Sequence, residues 1–170
     1  MRVPIRTKIL LLSLCLCVSV AIPSGCGPKV QTTAGVPTRK ATPTETALAY
    51  NDSLAQANKS VAQLVINANS TTPPLLSNAS ANTILTAQSR IADFDRQLTP
   101  LLQDTANFQA NAAQIGLLLD EIKAAGQGII QSDLGIADAK TKASVLAAFN
   151  KVYDFADLVV STLHDAGILK

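Results

Sequence analysis

The residues able to carry chemistry are few, and their spacing excludes most reactions. The 170-residue chain has one histidine, His164, three cysteines, Cys15, Cys17 and Cys26, and two glutamates, Glu45 and Glu121. Zinc sites draw on several His or Cys ligands, and di-iron bundles need inward glutamates with paired Glu-x-x-His. Neither pattern is present, so no metal site is expected. His164 reads as an exposed residue near a helix C-terminus, where a cation is favourable. No Gly-x-Ser-x-Gly segment offers a nucleophile. Asp93 and Asp95 are two residues apart and would fall on different faces of a helix. Asp120 and Glu121 are adjacent, and Asp154 and Asp157 share a face with Lys151, as in a solvated ion-paired stripe. General acid–base catalysis needs a carboxyl placed in a cleft with a shifted pKa, which these spacings do not supply. No glycine-rich loop follows a strand, so nucleotide binding has no support. The chain is expected to have no catalytic residue and no cofactor, and not to be an enzyme.

The remaining chemistry lies at the amino terminus. Arg2, Arg6 and Lys8 precede an apolar run, Ile9 to Ile22, of 14 residues. A helix crossing a bilayer core needs about 20, so charge plus a short apolar run reads as a secretory signal. The run ends in Pro23-Ser24-Gly25-Cys26. Cys15 and Cys17 would leave with the signal, making Cys26 the only thiol of the mature chain. An unmodified lone thiol is a liability in an oxidising compartment.

Ser24-Gly25-Cys26 resembles the last three positions of the lipobox of bacterial lipoproteins, with Pro23 standing where that family usually has an aliphatic residue. The resemblance covers the targeting segment alone. It implies cleavage before Cys26, a diacylglycerol on its sulfur and usually a third acyl chain, enough for stable membrane anchoring. It also implies a bacterial cell-envelope location, with the domain facing the periplasm or the exterior. Gly27 rather than Asp leans towards the outer membrane, where there is one. The alternative is an ordinary secretory signal, cut after a small residue, with Cys26 incidental.

Charge narrows the partners. The formal net charge is +2, but three of the 14 basic residues lie in the expected signal, which leaves 11 against 12 acidic. A near-neutral chain without a basic stripe lacks the electrostatic footprint of nucleic-acid binding. Residues 27–44 carry Pro, Gly and Thr without an apolar period and read as a flexible tether, about 20–25 Å from end to end. The expected organisation is a signal peptide over 1–25, a lipidated Cys26 with its tether over 26–44, and a helical domain over 45–170.

That domain follows from one apolar seam. Ile84, Ala87, Ile91, Phe94, Leu98, Leu101, Thr105, Phe108, Ala112, Ile115, Leu119, Ile122, Gly126 and Ile129 recur in alternating steps of three and four, as on a long helix packed against others. A first helix from Glu45 to about Ala68 carries the same alternation in Ala47, Tyr50, Leu54, Ala57, Val61, Leu64 and Ala68. Thr44 or Thr42 is its candidate cap, and Pro73-Pro74 follows its end. Gly126-Gln127-Gly128 suits a left-handed cap for the middle helix. The last helix runs from about Asp138 to Asp165 on Val145, Phe149, Val152, Ala156, Val159, Leu163 and Ala166, with Gly167 ending it. The fold class is all-α, an antiparallel helical bundle of three long helices. The middle one is expected to kink at Pro100, giving a four-helix bundle if the kink opens. Thr99-Pro100 could instead cap and begin a new helix.

Two roles suit such a chain. One is a membrane-anchored structural or adaptor bundle, touching a protein partner or itself through helix faces, with Leu48, Val65, Ile66, Leu117 and Leu118 as exposed candidates. The other is a small-molecule binder with an apolar pocket between helices near Pro100 and Ala106–Ala113. The Asn-x-Ser/Thr triplets at Asn51, Asn58, Asn69 and Asn78 read as by-products of a Ser/Asn/Thr-rich stretch.

Overall fold

Each long helix but one begins on a side chain that answers its first free amides. Four α-helices, packed against each other, make up the all-helical structure of residues 40–170, the part of the chain that the computed structural model describes: α1 (Pro43–Asn69), α2 (Asn78–Gln103), α3 (Phe108–Gln131) and α4 (Ala139–Asp165). Of the two candidate caps for α1, Thr42 is the one used. Its Oγ1 accepts from the Glu45 amide at 3.2 Å, and Glu45 Oε2 accepts from the Thr42 amide at 2.7 Å. This reciprocal pair and Pro43 start the helix two residues earlier than the seam alone suggests. Ser77 caps α2 and Asp138 caps α4, each through the amide three residues on. Among these helices α3 has no side-chain cap. It follows directly on a 3₁₀ turn (Thr105–Asn107).

The expected single middle helix is two helices, and the break is not at Pro100. α2 runs through Pro100 for one further turn and ends at Gln103, so Thr99 is an interior residue rather than a cap. Asp104 leaves the helix with φ −81° and ψ 73°, and its carboxylate accepts from the Asn107 amide and side chain. That local side-chain bonding competes with continued helix. The seam positions Leu98, Phe108 and Ile115 are buried on both sides of the break, but next to it Leu102 takes the buried place and the seam's Leu101 is only half-buried. Thr105, a seam position, is exposed in the 3₁₀ turn.

A second correction concerns the end of α3. Gly126 and Gly128 do not cap it; the helix continues to Gln131, and Ser132 closes it through bonds to the Ile129 carbonyl. Gly126 is buried beside α4, where a Cβ would stand 3.7 Å from the Phe149 carbonyl oxygen. It is an interior helical residue with room for a Cβ, not a turn. The left-handed residue is Gly135, at φ +59°, in the connection to α4. Leu134 and Ile136 of that connection are buried. Gly167 ends α4 at φ +70°. The Ile168 amide reaches the Leu163 carbonyl and the Gly167 amide reaches that of His164, a Schellman closure.

Helix α1 packs on α2 and α4, and α3 packs on the same two. Their inward faces merge into one apolar cluster that includes Leu54, Val61, Ile84, Ile91, Ile122, Phe149 and Leu163, each fully buried. Of the residues expected to be exposed, Val65 and Leu118 belong to this cluster, whereas Ile66 and Leu117 are 57% and 61% exposed. Leu48 packs against its edge. A helical stripe wider than the strict seam explains the difference, because bundle helices with two neighbours bury more than one row.

Candidate functional site

Cys26, the residue expected to be lipidated, lies outside the described residues, as do the expected signal peptide and most of the expected tether. Within the helices the carboxylates are scattered, as their spacing predicts. Asp93 pairs with Arg96 on the surface at 3.1 Å, while Asp95 turns towards α1. Glu121 faces Arg90 of α2 at 3.9 Å. Asp157 pairs across to Lys123 of α3 rather than along α4 to Lys151. Lys123 also lies 5.0 Å from the Tyr153 ring centroid. The Asp157 hydrogen bond holds the Lys123 ammonium above its ordinary value, against the opposing effect of burial. Among the described residues no cluster of three or more His, Cys, Asp or Glu could hold a metal ion, and no helix is long and apolar enough to cross a membrane.

A surface groove of about 740 Å³ lies between α3 and α4. Ala110, Ala113, Gly116 and Leu117 form one wall, and Val160 and Leu169 contribute from the other side. Gly116 allows the carboxyl-terminal segment to approach, with Leu169 Cδ2 3.7 Å from where a Cβ would stand. Asp120, His164 and Lys170 also line the groove. His164 is exposed, and its nearest ionic partner is Asp165 at 4.0 Å. The groove has no Ser, Thr, Cys or Tyr in its lining, so none of its side chains is a hydroxyl or thiol nucleophile. It lies beside the start of α3, close to the stretch where a pocket between helices is expected, but on the outside of the apolar cluster.

The polar cluster that sequence reasoning missed is inside. Asn51 of α1 is 1% exposed and donates through Nδ2 to Asp95 Oδ1 at 2.9 Å and to Thr99 Oγ1 at 3.0 Å. Thr99 Oγ1 in turn donates to the Asp95 carbonyl. Two turns along α1, Asn58 is 3% exposed and donates to the Gln88 carbonyl at 3.0 Å. The signal was present: the two asparagines stand seven residues apart, one heptad, beside the seam positions Tyr50 and Ala57. Their burial also removes Asn51 and Asn58 as glycan acceptors, while Asn69 and Asn78 stay exposed.

These features define a four-helix protein with a buried polar layer between α1 and α2 and an open groove between α3 and α4. The chain matches no protein-family model, no curated protein and no solved structure.

Proposed function

We propose that the chain is an envelope lipoprotein anchored through Cys26, whose helical domain is an antiparallel up-and-down bundle acting as a structural or adaptor module. The single observation behind the anchor is Ser24-Gly25-Cys26 at the end of a charged-then-apolar leader, with no other cysteine after it. The pairings along the helices support the antiparallel reading. Asn51 meets Thr99 while Asn58 meets Gln88, and Lys123 meets Asp157 while Gly126 lies near Phe149. Numbers fall on one helix as they rise on its neighbour. In this arrangement the tether enters α1 at the end of the bundle that also holds the α2–α3 break and the carboxyl terminus. The adaptor role rests on apolar side chains left outside the core, Leu117 and Ile66 above all.

The intact mass of the protein from the membrane fraction tests the anchor. A chain starting at Cys26 with a diacylglyceryl or triacyl increment is expected, and Cys26→Ser should move the protein to the soluble fraction. An unmodified mature chain starting elsewhere would sink the lipoprotein reading.

The groove favours one second reading, a binder of small amphipathic molecules. Leu117 and Val160 give its two sides apolar surface, and Asp120, His164 and Lys170 add polar groups to the same lining. Leu117→Asp should abolish the uptake of an apolar fluorescent probe if the groove is the site. Uptake unchanged by that substitution would leave the adaptor role alone.

A further inference from the structure

Asn51 presents an imbalance at the α1–α2 contact. Its amide nitrogen is doubly bonded to Asp95 and Thr99, yet its carbonyl oxygen, shielded from solvent, has no hydrogen-bond partner. A buried acceptor without a donor destabilises the fold. The carboxyl already touching this amide can change from acceptor to donor, because a neutral carboxylic acid carries an O–H, whereas the Thr99 hydroxyl is engaged by the Asp95 carbonyl. We propose that Asn51 and Asp95 form an acid-tightened clasp between α1 and α2, in which proton uptake by the Asp95 carboxyl supplies the donor that Asn51 Oδ1 lacks. The proton comes from solvent and adds to the second carboxyl oxygen. Nδ2 still donates to Oδ1, and the new O–H donates to the amide oxygen. Amide and acid are then paired by two bonds, with no charge left in the contact.

The surroundings favour that proton. Burial is the largest influence on Asp95 and raises it above its ordinary value of 3.8; the like charge of Asp52 acts in the same direction. The hydrogen bonds from Asn51 and Thr99 and the charge of Lys59 oppose, without reversing the sign. Asp52 and Lys59 are the charged groups that α1 turns towards Asp95, and on α2 Arg96 is engaged by Asp93. For a carboxyl raised on folding, the stabilisation is complete below 3.8 and is lost as pH rises through the folded value. Asn58 is an internal comparison. Its oxygen is also unpartnered, but its nitrogen bonds a backbone carbonyl, which takes up no proton. The clasp is independent of whether Cys26 is acylated.

Two measurements on the full chain in detergent test it. The first is a carbon-13 titration of the Asp95 carboxyl, followed together with the Asn51 side-chain amide protons. Both should titrate with one midpoint above 3.8. The second compares urea unfolding of the wild type and Asp95→Asn from pH 7 to pH 4. The amide of the variant carries N–H donors at every pH. The wild-type unfolding constant should therefore fall, relative to the variant, by up to about tenfold per pH unit below the Asp95 midpoint, the limit for one proton. An Asp95 midpoint at or below 3.8 would overturn the clasp, as would identical pH dependence of the two proteins. If Asp95→Asn does not fold, the carboxyl titration and the Asn51 amide shifts decide alone.

Discussion

Ser80 Oγ donates to the Leu134 carbonyl at 2.7 Å, tying the first turn of α2 to the connection between α3 and α4 across 54 residues of chain. Both residues are buried, and Ser80 also shares a hydrogen bond with Ser77, the cap of its own helix. One hydroxyl thus joins a helix start to a loop that would otherwise expose its backbone. Ser80→Ala removes the donor and leaves the Leu134 carbonyl buried without that bond. A loss of about 1–3 kcal/mol is expected, read as a lower denaturation midpoint with an unchanged m value. A loss below a few tenths would mean that water replaces the hydroxyl.

Gly126 gives a prediction whose sign separates two structures. A left-handed cap at this position would make any side chain costly. In the structure Gly126 is an interior residue of α3, and a Cβ would meet the Phe149 oxygen at an ordinary 3.7 Å. Gly126→Ala should therefore be neutral or stabilising by up to about 1 kcal/mol through helix propensity and the narrowed unfolded ensemble. Gly128→Ala, with open space around it, should behave in the same way. A lower melting temperature in Gly128→Ala would place the helix end before Gln131.

Asp138 sets the acid limb. Its carboxylate accepts from the Thr141 side chain and amide, which together hold it below its ordinary value of 3.8. A carboxyl lowered on folding contributes stability above 3.8 that is lost as pH falls through the folded value. Asp138→Asn keeps an N-cap acceptor without the charge. Thermal melts of this variant below pH 4 should lose less on acidification than the wild type. Equal losses would show that the cap does not titrate in this range. The direction is opposite to that of Asp95, so the two groups separate by variant as well as by pH.

The packed interior and the groove wall should respond differently to truncation. Phe149 is fully buried at the α3–α4 contact, so Phe149→Ala should cost about 3–5 kcal/mol. Leu117 is 61% exposed, and Leu117→Ala should stay within about 0.5 kcal/mol. Chemical denaturation of both variants measures the contrast. A large loss at Leu117 would mean that its side chain is covered in solution, as self-association through that groove would produce.

Much of the architecture was legible in the order of apolar residues. The alternation of three and four placed Leu54, Ile91, Ile115, Val152 and Leu163 in the core, because a helix turns one row of side chains inward whatever surrounds it. Caps were legible where the bonds are local: Thr42, one of the two candidates, caps α1 and Gly167 ends α4, since each interacts within a few residues of itself. The helix break was not legible at its true place. Pro100 attracts attention because it lacks an N–H, yet α2 tolerates it, and the less conspicuous Asp104–Asn107 pairing ends the helix. Gly126 was misread for a related reason: glycine suits a turn, yet here α3 runs on through it to Gln131.

The sequence by itself determined that the chain is helical and where each inward row lies, because periodicity is a property of the chain alone. The basic residues, short apolar run and Cys26 are likewise a local pattern, so the lipoprotein role proposed from them rests on the chain order and not on the fold. Which helices neighbour one another was decided only in three dimensions, and with it the polar layer of Asn51, Asp95 and Thr99. Those residues lie 44 and 48 positions apart, and no local pattern brings an amide to a carboxyl over that distance. Burial then raises the carboxyl and strands the amide oxygen, consequences that exist only once α1 and α2 have closed on each other.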